Sequence, residues 1–141
     1  MKLKKSFPFS LKLASFFYPV TIEKSSTPYE LELVLSKNKL ILNSKNANQS
    51  NDSLEQAFNE CFHRLGIYTK EFNNVLVLGL GLGSVVYLLK KNGNINQLTA
   101  YENNPQILAW LEKYYDYSDV QIISKSADKI DTVHAMFDLI L

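Results

Sequence analysis

Three glycines spaced by two residues are the strongest chemical signal in the sequence. Gly79, Gly81 and Gly83 lie in the segment VLVLGLGLGS, where a buried strand predicted over Val75 to Leu80 leads directly into a helix. Glycine adopts positive φ and carries no side chain, so such a loop turns sharply and lets a ligand approach the backbone closely. The segment therefore predicts half of a nucleotide-cofactor site, with a plain structural turn as the alternative.

A carboxylate at the end of the next strand fits the same interpretation. Glu102 follows the predicted strand Gln97 to Tyr101, about twenty residues beyond the glycines, where an acid can accept hydrogen bonds from both ribose hydroxyls. Taken alone, an acid at a strand end is more often a solvated charge or a helix cap. Its spacing from the glycine loop favours the ligand role.

The spacing of the glycines indicates the ligand class. A dinucleotide fingerprint requires glycine or alanine at position 84, and Ser84 is there instead. The G-x-G-x-G loop resembles the first motif of class I S-adenosylmethionine-dependent methyltransferases. YENN around Glu102, SAD after the third strand and FDLIL at the end are similar to later motifs of that superfamily. The order of a small β-region, one helix and the cofactor domain resembles its spermidine synthase-like branch.

The resemblance implies S-adenosylmethionine or decarboxylated S-adenosylmethionine as the cofactor. It implies contacts of the three glycines with the methionyl part and of Glu102 with the ribose, with Asn103 as an adjacent candidate. It assigns the adenine edge to Ser126, Ala127 and Asp128, although the acid of that motif usually precedes the small residue.

Several departures from the family pattern bear on activity. Leu82 occupies the position of an acid that spermidine synthases use at the amine end, and Ala57 and Asn59 fall about where an acid and tyrosine cluster would align. The family's catalytic acid lies just after the fourth strand, and the chain ends at Leu141. We therefore expect a truncated form of a longer protein. Catalytic residues, the acceptor and the choice between methyl and aminopropyl transfer stay open.

Three functional hypotheses follow. The first is a cofactor-binding domain of a group-transfer enzyme, a methyltransferase or aminopropyltransferase if it is active. The second is a non-catalytic module that keeps the fold for assembly or regulation. The third is an NAD-binding domain, which Ser84 and the preceding β-rich segment disfavour.

The predicted fold class is α/β, a partial Rossmann-like parallel sheet preceded by a small β-hairpin or meander. The predicted division is a β-rich subdomain with linker over residues 1–50 and the cofactor domain over residues 51–141. Strands are predicted over Pro19 to Glu23, Tyr29 to Leu35 and Leu40 to Leu42, with Asn38 at positive φ in the turn between the last two. Asn43 to Ser53 is predicted to be a linker or a binding loop.

Helices and strands are predicted to alternate in the second region. Asp52 caps a helix whose apolar stripe is Leu54, Ala57, Phe58, Cys61, Phe62 and Leu65, and Gly66 ends it. Asn104 and Pro105 open another helix. The remaining predicted elements are a helix over Ser84 to Lys91 before Gly93, a strand over Val120 to Ile123, a polar helical stretch over Ser126 to Ala135 and a strand over Phe137 to Leu141.

Bulk properties limit the partners. The 141 residues carry a net charge of +1, so no global field would attract nucleic acid or an anionic membrane, and we expect neither partner. No apolar run reaches the length needed to span a membrane. The start resembles a secretion signal, but Pro8 and Lys12 interrupt its apolar run, and the single Cys61 fits a reducing cytoplasm.

Other residues predict no further site. His63 and His134 are too isolated to indicate a metal site, and Trp110 with its neighbouring tyrosines suits core and rim packing. An exposed last strand leaves a homodimer open.

Overall fold

The computed structural model describes residues 2–4, 6–25, 30–44, 47–48, 52–130 and 136–141. The helices and strands are, in chain order, β1 (Lys2–Leu3), α1 (Phe9–Phe17), β2 (Val20–Ser25), β3 (Leu31–Ser36), β4 (Lys39–Ser44), β5 (Ala47–Asn48), α2 (Asp52–Arg64), β6 (Glu71–Leu78), α3 (Ser84–Asn92), β7 (Asn94–Tyr101), α4 (Pro105–Tyr114), β8 (Tyr115–Asp116), β9 (Gln121–Ile123) and β10 (Leu139–Ile140).

The N-terminal sheet is antiparallel, with strand order β2-β3-β4-β5. Alternating leucines direct one face of β3 into the core, since Leu31, Leu33 and Leu35 are all buried. The hairpin between β3 and β4 turns through Lys37 and Asn38, both at positive φ, which matches the twist of the strands and confirms the predicted turn. The predicted linker is partly wrong, because pairing with β3 continues to Ser44 and β5 pairs back onto β4.

The second sheet is parallel, with strand order β10-β6-β7-β9. Val75, Leu76 and Val77 of its central strand β6 are buried, as expected for a strand covered on both faces. Numbered along the chain, these parallel strands lie in the order 4-1-2-3, which is one half of a Rossmann-like sheet and confirms the predicted fold class. Leu78 pairs with Tyr101, so the carboxyl ends of β6 and β7 lie side by side.

Three elements, β1, α1 and β8, lie where none is predicted. β1 pairs with β8, and α1 packs beside β2 and β3. Helical periodicity does not indicate α1, because the side chain that it buries is Ser15 while most of its large apolar side chains face outward. Among the described residues, no helix has the length and apolarity needed to cross a bilayer.

Two further predictions need correction. On α2, Phe62 is buried against Tyr68, and the smaller Cys61 and Leu65 are exposed, so Cys61 is not a core residue. The bulky aromatic rings take the inward positions and leave Ala57, Cys61 and Leu65 exposed to solvent. The polar stretch after Ser126 forms only the short 3₁₀ turn Ala127–Lys129, and residues 131–135, with the rest of that predicted helix, lie outside the described residues.

One hydrophobic core receives residues from both sheets. It joins leucines of β3 and β4 to Val75 and Val77 of β6 and to Trp110 and Leu111 of α4. The N-terminal sheet therefore packs directly on the parallel-sheet unit. The division at residue 50 stays a prediction.

Candidate functional site

A cleft of about 530 Å³ opens at the carboxyl ends of β6 and β7. This is the edge at which parallel α/β sheets bind their ligands, and the volume lies in the usual range for small-molecule sites. The cleft is lined by Leu31, Ser44, Gly79, Gly81, Glu102, Asn103, Asn104 and Ile107. Its walls thus come from the glycine loop, from the start of α4 and from the N-terminal sheet.

The glycine loop has the backbone that its composition predicts. Gly79, Gly81 and Gly83 have φ of 86°, 54° and 83°, a region that side-chain-bearing residues rarely adopt. A Cβ built on Gly79 or on Gly81 would meet no atom within 4 Å. These two glycines therefore present open space at the cleft, whereas the third does not line it.

Gly83 is required by a neighbouring tyrosine. A Cβ at Gly83 would lie 1.9 Å from Tyr117 Oη, and this hydroxyl donates a 2.6 Å hydrogen bond to the Leu82 carbonyl. Burial raises the pKa of Tyr117, so the phenol stays protonated and remains a donor. Tyr117 therefore packs against Gly83 and holds the loop through its hydrogen bond to the Leu82 carbonyl. The sequence showed no sign of this contact, which spans 34 residues between Gly83 and Tyr117.

Most amides of the loop are already donors within the protein. Gly79 and Leu80 both donate to the Tyr101 carbonyl, at 2.9 and 3.0 Å, and Gly83 donates to the Leu80 carbonyl at 2.9 Å. The Gly81 amide donates to Glu102 Oε2 at 3.0 Å. The loop therefore offers a ligand close approach to its Cα atoms rather than a cradle of amides.

Glu102 is the polar centre of the cleft and is only 7% exposed. Its own amide donates to the Ile123 carbonyl, which fixes the residue beside the end of β9. Its Oε1 accepts from the Asn104 amide at 2.9 Å and its Oε2 accepts from Gly81. Each carboxylate oxygen has two lone pairs, so capacity for a further donor remains on both.

The start of α4 adjoins Glu102, as predicted. Asn104 is the N-cap, and its side chain accepts from the amides of Gln106 and Ile107 at 2.9 and 3.3 Å, with Pro105 at the first helical position. Asn103 lines the cleft. Ser126, Ala127 and Asp128 are not among the residues that line it. Their assignment to the adenine edge stays a prediction.

Leu82 points away from solvent, with 3% of its surface exposed. An acid there, as in the amine site of spermidine synthases, would have to be buried in the same core, since Leu82 packs among its residues. Position 82 therefore provides no carboxylate that could bind the amine of a ligand.

A cluster around Glu23 joins the N-terminal sheet to helix α4 and was not predicted. Glu23 on β2 accepts hydrogen bonds from Trp110 Nε1 at 2.9 Å, from Lys113 Nζ at 2.6 Å and from Tyr114 Oη. Partial burial acts to raise the pKa of Glu23, but these hydrogen bonds outweigh it and the pKa is lowered overall. Its partners lie at least 87 positions away in sequence, so no local pattern could reveal the cluster.

Comparison with solved structures supports the fold. The chain is similar to spermidine synthase from Thermotoga maritima, with a TM-score of 0.59 and 14% identity over 76% of this chain and 40% of that one. A spermidine synthase in complex with the transition state analogue AdoDATO gives the same score and identity over 76% of this chain and 41% of the other. The plantazolicin methyltransferase BpumL, with SAH, gives 0.47 and 16% identity over 63% of this chain and 35% of that one.

The two spermidine synthase structures support the Rossmann-like fold, and the chain spans about two fifths of the length of each. A comparison with curated proteins finds no match. A family model described as the glycosyltransferase Maf N-terminal domain matches residues 20–135, which is most of the chain. The chain therefore belongs to the glycosyltransferase Maf N-terminal domain family.

Proposed function

We propose that this chain is a nucleoside-cofactor binding module of a group-transfer enzyme, and that S-adenosylmethionine is the ligand of its cleft. The observation that carries the proposal is the arrangement of Gly79, Gly81 and Glu102 around open space at the ends of β6 and β7. Such a ligand would lie over the two glycines with its ribose hydroxyls donating to Glu102. S-adenosylmethionine carries a sulfonium centre, and the thioether that this centre releases is a good leaving group for alkyl transfer.

The hydrogen bonding of the loop disfavours a ligand that carries phosphates. Phosphate sites at glycine loops depend on backbone amides that point at the anion. Here the amides of Gly79, Leu80, Gly81 and Gly83 already donate to the protein. A pyrophosphate, as in NAD or in a nucleotide sugar, would find few donors.

The charge of the cleft also disfavours a ligand that carries phosphates. Among the residues that the structure describes, its lining contains the Glu102 carboxylate and no lysine or arginine. A carboxylate repels phosphate and attracts a sulfonium, and the attraction is strong where water is partly excluded. S-adenosylmethionine and its decarboxylated form fit this field better than NAD does. Because Leu82 is buried and leaves no acid for an amine, we favour the former of the two.

Isothermal titration calorimetry with S-adenosylmethionine, its decarboxylated form, NAD and a nucleotide sugar tests the proposal. We expect heat with the first compound and none with the last two. Gly81→Val should abolish the heat by filling ligand space. Gly66→Val is the matched control, because Gly66 also has positive φ, 65°, and lies outside the cleft. Binding that survives in Gly81→Val, or that NAD alone shows, would contradict the proposal.

A second candidate function is a non-catalytic module of a glycosyltransferase. The observation that favours it is that both oxygens of Glu102 already accept backbone amides, so the acid has a structural role without any ligand. In that case the cleft binds none of the four compounds. Glu102→Gln would then lower stability, and no ligand would restore it.

A further inference from the structure

The outer face of α1 is an unusual surface. It consists of Phe9, Leu13, Phe16 and Phe17, which are 80%, 50%, 56% and 79% exposed. At 100° per residue these four side chains fall within about a third of the helix circumference. Soluble proteins rarely present so many large apolar side chains together, and such a patch marks an interaction surface.

Two hydrogen bonds hold α1 with this face outward. Ser15, on the opposite side of α1, is 1% exposed, and its hydroxyl accepts from the Asn38 amide at 3.2 Å. Its carbonyl accepts from the Lys37 amide at 2.7 Å. The helix is therefore tied to the β3–β4 turn by its polar side, which leaves its apolar side outward.

The segment of the chain that contains this face is basic. Residues 1–22 contain four lysines and no acidic residue. Lys12 bonds to the neutral Ser6 hydroxyl at 2.8 Å, and Lys37 adds a charge at the turn that holds Ser15.

We propose that the outer face of α1 docks on an anionic lipid surface. Exposed phenylalanines on one side of a helix, with lysines beside them, suit a helix that lies flat at the level of the headgroups. The expectation of no membrane partner rested on the net charge of +1 and on the lack of a spanning segment, and neither criterion bears on a local face that is apolar and basic.

A second copy of the chain fits this face less well. With about 200 Å² for each large side chain, the exposed parts of the outer face amount to roughly 500 Å². A stable protein interface needs about 800 Å² from each partner. Two copies would also bring like charges together, which opposes association.

The test is sedimentation of the full chain with vesicles of phosphatidylcholine alone and of phosphatidylcholine mixed with phosphatidylglycerol. We expect binding to the mixed vesicles only, weakened by salt. Phe16→Ser with Phe17→Ser should weaken it about tenfold or more, because two rings no longer insert. Leu65→Ser is the matched control, since Leu65 is also exposed, at 61%, and lies directly after the end of α2. It should bind as the unmodified chain does.

Fluorescence of the single Trp110, which is buried, reports whether each variant is folded. If the double variant is misfolded, Phe9→Ser replaces it, because that ring is the most exposed of the four. The proposal fails if the chain ignores mixed vesicles, binds both kinds equally, or binds unchanged after the phenylalanines are removed. It also fails if sedimentation shows a dimer that the phenylalanine variants dissociate, which would make the face a contact between copies.

Discussion

Replacing Glu23 with alanine tests how the N-terminal sheet is joined to the parallel-sheet unit. Glu23 bonds to Trp110, Lys113 and Tyr114 of α4, whose first turns line the cleft. We expect Glu23→Ala to lower the free energy of unfolding and to loosen the packing of β2 on α4.

The magnitude follows from the partners that lose their acceptor. Trp110 is 1% exposed, so its indole N–H would be left buried without a partner, at a cost of about 1–3 kcal/mol. The hydroxyl of Tyr114, also buried, adds a smaller loss. The Lys113 ammonium is largely exposed and water replaces its partner. The sum is about 2–4 kcal/mol.

Urea unfolding followed by Trp110 fluorescence measures this loss. Glu32→Ala is the matched control, because Glu32 lies on the neighbouring strand β3 and forms an exposed pair with Lys24, so its removal should change little. A loss in Glu23→Ala no larger than in Glu32→Ala would refute the reasoning, since it would mean that the buried indole finds another acceptor.

Three further predictions concern the same framework. Folding lowers the pKa of Glu23, so the stability that its charge contributes is present above about pH 4.5. This stability is lost as the pH falls through the folded-state pKa. The urea midpoints of the unmodified chain and of Glu23→Gln should therefore converge in acid. Gly83→Ala should destabilise by about 2 kcal/mol or more because it displaces Tyr117, whereas Gly81→Ala should cost about 1 kcal/mol from its positive φ alone; equal thermal shifts would contradict this. Asn104→Ala should cost about 1 kcal/mol by removing the α4 cap, and an unchanged melting temperature would show that the cap is dispensable.

The features that local chemistry determines were predictable from the sequence. The glycine loop, the Asn104 cap and the Asn38 turn each depend on residue types that few conformations accommodate. The alternation of apolar strands and helices after residue 70 was enough to predict the parallel sheet.

The features that distant contacts determine were not predictable. α1 buries Ser15 and exposes its phenylalanines, which reverses the pattern from which buried faces are inferred. The role of Gly83 depends on Tyr117, and that of Glu23 depends on α4. The sequence predicts that a ligand approaches the loop backbone closely, but it does not indicate that the fold uses most of the loop amides as donors within the protein.

The central proposal, that the cleft binds S-adenosylmethionine, is tested most directly by amide chemical shifts. ¹⁵N-labelled protein would be titrated with S-adenosylhomocysteine, which keeps the nucleoside and lacks the reactive methyl group. Binding in the cleft predicts saturable shifts at Gly79, Gly81, Asn103 and Asn104, which line it, and none at Gly66. No shifts at saturating ligand, or shifts confined to residues outside the cleft, would contradict the proposal.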